Sequence, residues 1–144
     1  MKFEELLETY QLQFISEEFM DFHAVQPIQM TEWFQDELHF ALEHLGESDK
    51  EAFASEFIVV PFLRAVWRRH PKMELFSHVQ IQADNMIVIP DYLLSSRSPT
   101  GYKALCKPLL LTVEAKDEKF NEGWTQALQQ SIVCQKINGA PDVP

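Results

Sequence analysis

Two short stretches carry the acid chemistry of this chain. Ile89-Pro90-Asp91-Tyr92 lies within one apolar segment, and Val113-Glu114-Ala115-Lys116 closes another, with Glu114 standing 23 positions after Asp91. In an extended strand alternate side chains share a face, so Glu114 and Lys116 point one way and Ala115 the other. If the strand that begins near Met86 pairs with the one that begins near Leu109, Asp91 sits across from Glu114, and two carboxylates meet an ammonium. Two carboxylates held close repel unless positive charge lies between them, and hard oxygen donors suit Mg²⁺. That ion is satisfied by one or two protein carboxylates, with waters and substrate phosphates completing its shell. The chemistry expected of such a set is water attack at phosphorus, with Lys116 orienting or activating the water and stabilising charge on the phosphate. The plainer alternative is a strand-end Asp91 and a surface pair of Glu114 with Lys116, worth about 0–1 kcal/mol.

The hydrophobic period predicts the elements that hold these residues. Met1 to Glu8 suits a short helix, while Gln11 to Ile15 alternates and leaves helix and strand both open. Thr31 is placed to cap a helix whose face is Trp33 or Phe34, Leu38, Ala41 and Leu45, with Gly46 as its stop. A second helix starts near Ser48 or Asp49 and runs to Arg69, before Pro71, with Pro61 expected to kink it. Phe53, Phe57, Val60 and Trp67 form its sheet-facing side, and Glu56 falls at the margin of that side. The period then changes from 3.6 to 2. His78 to Gln82 alternates, Asn85 marks a tight reversal, and Met86 to Leu94 reads as a strand around Pro90, which together predict a hairpin. A polar loop from Ser95 to Cys106 leads to the continuous apolar run Leu109 to Val113, typical of a central strand. A last helix is expected from about Asn121 to Lys136, closed by Asn138-Gly139 and Pro141.

Bulk properties frame this reading. A chain of 144 residues fits one domain, residues 1–144, divided into an N-terminal helical extension (1–47) and a core (48–138). Hydrophobic residues at 46% and charged residues at 24% are globular values, which argues against disorder. The longest apolar run, Phe57 to Leu63, is far below the roughly 18 residues of a membrane span, and the acidic N-terminus lacks a secretory n-region, so a cytoplasmic protein is expected. Cys106 and Cys134 share no metal-type spacing and are read as reduced, buried thiols.

The net charge of −10 opposes binding to a polyanion. Arg64, Arg68, Arg69 and Lys72 gather on one helix and its exit, where a solvated face is the plain explanation. His39, His44, His70 and His78 are read as ordinary histidines, and Trp33, Phe34, Trp67 and Trp124 as core rather than as a base-stacking platform. No glycine-rich phosphate loop, GxSxG elbow or HExxH occurs.

The order helix, three strands, helix, with Pro90-Asp91 on one strand and Glu114-Ala115-Lys116 ending the next apolar one, resembles the PD-(D/E)XK motif of the restriction-endonuclease-like nuclease superfamily. The resemblance covers about residues 48 to 138. It implies an α/β (α+β) fold with a restriction-endonuclease-like core, a three-stranded antiparallel meander between two helices, and Mg²⁺-dependent hydrolysis of DNA or RNA. It further implies that Asp91 and Glu114 bind Mg²⁺ or Mn²⁺, with the backbone carbonyl of Ala115 as a further ligand, and that Lys116 serves the water. An acidic residue on the helix before the sheet often joins such a site, and Glu56 fits by position. The helix after the lysine commonly presents a Gln or Tyr, a place that Gln126 and Gln130 occupy, one turn apart; either would contact a phosphate or hold Lys116.

One departure stands out. The superfamily core has a fourth strand after that helix, yet only Asn138 to Pro144 follow here, with two prolines among seven residues. The strand carrying Glu114 and Lys116 is then left at an edge, to be covered by Gln11 to Ile15 or by another subunit. With the negative charge, this motivates a second expectation: a catalytically inactive nuclease-like domain that serves protein or subunit interaction, as a homo-oligomer through the sheet edge.

Overall fold

A computed structural model describes residues 1–17 and 20–139 of the chain. Helix α1 spans Phe3–Thr9, and after a 3₁₀ turn at Phe22–Ala24 comes α2, Glu32–Glu43. The Thr31 hydroxyl accepts from the Phe34 amide at 3.2 Å, the cap its residue type favours. α2 ends with His44 as its cap, two residues before Gly46, and the His44 Nδ1 lies 2.8 Å from the Phe40 carbonyl oxygen. Gln11 to Ile15 forms neither helix nor strand, and Gln11 has a left-handed backbone with φ 53°.

The next helical run is α3 (Lys50–Ala54), a π turn (Ser55–Val59) and α4 (Val60–Arg69). Pro61, where a kink was expected, stands in the first turn of α4 directly after the π turn; proline has no N–H to give and its ring crowds the carbonyl four residues back, which a widened turn accommodates.

Five strands follow: β1 (Met73–Ser77), β2 (Ile81–Ala83), β3 (Met86–Val88), β4 (Tyr92–Ser96) and β5 (Cys106–Val113), then α5 (Phe120–Asn138). The main sheet is antiparallel with order β1-β4-β5, and β2 with β3 makes a separate two-stranded hairpin. This corrects the sequence reading at two points. The first strand of the main sheet lies at Met73–Ser77, because His78 turns into the left-handed region (φ 52°) and cuts it off from the alternation that follows. The run Met86 to Leu94 is two strands, since Pro90, which is fully buried, cannot donate to a ladder and separates β3 from β4. The Asp84-Asn85 reversal joins β2 to β3 as expected, with Asp84 at φ 52°.

The alternation of β4 divides the core in two. Tyr92 and Leu94, with Leu75 of β1, pack against Val59, Val60, Leu63 and Trp67 on one face. Leu93 points to the other face, onto Leu109, Ile81 and the α5 residues Val133 and Cys134. The sheet is thus a middle layer between α4 and α5, and α1 rests on α5 with Leu6 buried. Burial pushes the Cys134 thiol up to about 11, so it stays protonated; Cys106 is also free but only partly buried, a correction to the buried pair expected.

β5 has a strand neighbour on one side alone among the described residues, and Leu110 and Leu111 on it are about half exposed. The Asn138 side chain covers part of that open edge. Its Oδ1 accepts from the Leu109 amide at 2.8 Å and its Nδ2 donates to the Leu109 carbonyl at 2.9 Å, as a neighbouring strand would. Gly139, at φ 71°, ends α5 in the left-handed cap expected of it. Pro141 and the rest of residues 140–144, where a fourth strand was sought, lie outside the described residues. No helix among the described residues is long and apolar enough to cross a membrane.

Candidate active site

Register brings the two acid stretches together. Tyr92 pairs with Val113, so Asp91 and Glu114 are the next residues at the same end of the sheet. The Ala115 amide donates to Asp91 Oδ2 at 2.8 Å, which fixes the carboxylate across the strand gap. The other oxygen, Oδ1, is 3.4 Å from His78 Nε2, and the His78 Nδ1 is 2.7 Å from the Ser77 hydroxyl. His78 therefore belongs to this corner, which its reading as an ordinary histidine missed; the adjacency arises only because the β1 exit folds beside β4.

Glu114 is held most tightly. Its side chain is only 5% exposed, yet both oxygens are engaged: Gln130 Nε2 donates to Oε2 at 2.7 Å, and Lys116 Nζ lies 3.3 Å from Oε1. A carboxylate this far from water requires such partners. Lys116 also reaches Glu51 Oε1 at 3.7 Å, and Glu51 Oε2 accepts from the Asp117 amide at 3.1 Å. Lys50 adds ion pairs to Asp117 at 3.0 Å and Glu118 at 3.3 Å, so the start of α3 is tied to the loop after β5.

The balance of forces on Lys116 decides its protonation. Partial burial pulls its pKa down, but the Glu114 hydrogen bond and the charges of Glu114, Glu51 and Asp91 outweigh that and hold it above the ordinary lysine value of 10.5. At neutral pH Lys116 is an ammonium, able to donate and to offset negative charge; it is not a base. Gly123 on α5 gives its stem room, since a Cβ there would come within 3.0 Å of Lys116 Cγ. A glycine inside a helix costs roughly 0.5–1 kcal/mol relative to alanine, and that cost is the signal by which the sequence could have revealed Gly123.

The corner opens onto a cleft of about 520 Å³ lined by Asp91, Ala115, His78, Tyr92, Glu51 and Glu56 among others. The Ser55 and Tyr92 hydroxyls, 2.7 Å apart, join the π turn to β4 beneath it. Glu56 lines this cleft with an exposed side chain, whereas the helix carboxylate in contact with Lys116 is Glu51, one turn and a half earlier. Glu56 stands within the π turn and Glu51 on α3 before it. Of the two glutamines, Gln130 reaches Glu114; Gln126 makes no hydrogen bond to the site and lines a groove beside α1, with its Oε1 buried and unpartnered.

Among the described residues no group of three or more His, Cys, Asp and Glu side chains is arranged to enclose a metal ion. Mg²⁺ needs one or two protein carboxylates and otherwise keeps its waters; of the two carboxylates at these adjacent strand ends, Asp91 lines the cleft, while both oxygens of Glu114 are held by Gln130 and Lys116. Compared with family models, with curated proteins and with solved structures, the chain matches none.

Proposed function

We propose that this chain is a Mg²⁺- or Mn²⁺-dependent nuclease of the PD-(D/E)XK type that hydrolyses phosphodiester bonds in DNA or RNA. The observation that carries the reading is the convergence of Asp91, Glu114 and Lys116 at one sheet end, with the Ala115 amide on Asp91 at 2.8 Å and the Lys116 ammonium on Glu114 at 3.3 Å. Asp91 and Glu114 would hold the cation together with the Ala115 carbonyl, and the cation when bound supplies charge neutralisation at the phosphate and a more acidic water. Lys116, kept protonated by its carboxylates, donates to the attacked phosphate or to the incoming water. Gln130 holds Glu114 in place, and Glu51 adds a second carboxylate to Lys116. Glu56 stands on the cleft wall, open to the same space.

The test is a Mn²⁺ titration by calorimetry of wild type and Glu114→Gln, coupled to cleavage of labelled DNA and RNA with Mg²⁺. Binding and cutting in wild type, with both lost in Glu114→Gln, is expected. A wild-type chain that neither binds the metal nor cuts either nucleic acid sinks the reading.

A second reading is favoured by the β5 edge. Half-exposed Leu110 and Leu111, on a strand with a strand neighbour on one side alone among the described residues, suit a subunit interface, and an inactive domain paired through β5 would use them. A dimer broken by Leu111→Lys, in a chain without metal binding, is the outcome that selects this reading.

A further inference from the structure

A second and larger hollow, about 940 Å³, lies between α2 and the α3–α4 run. Its walls carry Trp33, Phe40 and Phe57, all well exposed, and the three arginines Arg64, Arg68 and Arg69. Trp33 is 71% exposed, so the core role that its helical spacing suggested does not hold for it, nor for the exposed Trp124; Trp67 alone of the three is packed in the core. Of the rings lining the hollow, Phe53 and Phe57 lie 4.7 Å apart, and Phe34 is backed edge to face at 5.1 Å by Phe62 of α4, which lies outside the lining.

The charge pattern is equally uneven. Among the described residues no carboxylate pairs with Arg64, Arg68 or Arg69, and only Arg69 has a hydrogen bond, to the Gln29 carbonyl at 2.9 Å. In a chain of net charge −10, three guanidiniums without an ion-pair partner among the described residues, on a groove that holds only two carboxylates, Glu37 and Glu56, form a local positive strip. Such a strip between ring faces matches an anionic ligand with flat apolar parts.

We propose that this groove binds a single strand of nucleic acid, phosphates on Arg64 and Arg68 and bases on the rings of Trp33 and Phe57, and feeds it to the cleft at Asp91. The delivery step rests on the nuclease reading. A duplex keeps its bases stacked inside and would leave the rings unused, whereas an unpaired strand offers both π faces and phosphates. Glu56 lines the groove and the Asp91 cleft alike, so the two hollows adjoin and a strand leaving one enters the other. Phosphate contacts to Arg64 and Arg68 make the binding weaken with salt, while Glu37 and Glu56 on the groove walls oppose phosphate and limit the affinity.

The experiment uses the full chain carrying Glu114→Gln, a fluorescein-labelled oligothymidylate of about twelve nucleotides, a length within the usual span of single-strand sites, and a duplex of equal length, followed by anisotropy across a salt series. Tighter binding of the single strand is expected, weakened about tenfold by Trp33→Ala and restored by Trp33→Phe, with Arg64→Ala and Arg68→Ala lowering both affinity and the salt slope. Circular dichroism confirms that each variant is folded. Equal affinity for the duplex, or no effect of Trp33→Ala, overturns the proposal. So does an acidic amphipathic peptide that binds the groove while the oligonucleotide does not. Single-strand binding as described in a wild-type chain that cuts nothing with Mg²⁺ leaves the groove assignment standing and removes the nuclease reading; cutting that is indifferent to Trp33→Ala and Arg68→Ala does the reverse.

Discussion

On one side of Glu56 the Glu114 carboxylate is nearly out of solvent with both oxygens held, and Lys116 pairs with two carboxylates, Glu114 just after β5 and Glu51 of α3. On the other side Arg64 and Arg68 stand beside exposed rings with no carboxylate partner among the described residues. The first region is a charge-matched corner whose geometry the fold itself holds; the second keeps its charges and apolar surface unmatched. A buried charge must find its partners inside the molecule, because an unpaired one costs several kcal/mol, whereas exposed arginines and rings are tolerated at little cost to folding and stay free for a ligand. Removing a residue should therefore harm stability in the corner and not in the groove.

The largest effect is expected from Lys116→Met, which keeps the stem but strands Glu114. A loss of about 3 kcal/mol in urea unfolding is predicted, and a loss under about 1 kcal/mol would mean that water already reaches the pair. The same ion pair can be titrated. Because the folded pKa of Lys116 is raised, its contribution is fully present below the ordinary value of 10.5 and is lost as pH rises through the higher folded value. Wild type should thus weaken in the alkaline limb above that point, and Lys116→Met should lack that part of the decline.

A smaller effect is expected of Gly123→Ala. Helix propensity alone favours alanine by about 1 kcal/mol, but the new methyl would press on Lys116 Cγ at 3.0 Å. Thermal melts should show little or no net gain; a full gain of that size would show that Lys116 yields without resistance, and the corner would be looser than its contacts suggest. The smallest effect belongs to the groove. Arg68→Ala should change stability by no more than about 0.5 kcal/mol, the range of surface substitutions, and a clearly larger loss would assign Arg68 a structural partner and break the contrast.

Several elements were legible in the sequence because their causes are local. Thr31 caps α2, Gly139 ends α5, and the alternation across Asp84-Asn85 makes a hairpin. Asp91 was expected across from Glu114 if the strand beginning near Met86 paired with the one beginning near Leu109; the pairing is made by β4, after Pro90, and β3 goes to the side hairpin. The pairing of whole strands was less legible. His78 to Gln82 alternates well enough for the main sheet, but a left-handed His78 and the buried Pro90 divert that stretch into the side hairpin, and β1 forms earlier. Trp33 and Trp67 sit at similar helical positions by pattern; one is exposed and one packed because periodicity defines a face without saying which neighbour covers it.

The sequence by itself determined the local pieces: where helices start and stop, which strand residues share a side, and that Glu114 and Lys116 face together. Only the tertiary structure decided that Glu51 is the helix acid beside Lys116, that Gln130 and not Gln126 holds Glu114, and that Asn138 covers part of the β5 edge. Those outcomes join residues 16 to 65 positions apart. Caps and alternation depend on neighbours a few bonds away, while such contacts depend on how α3 meets the loop after β5 and how α5 lies across the sheet, which no short stretch of sequence encodes.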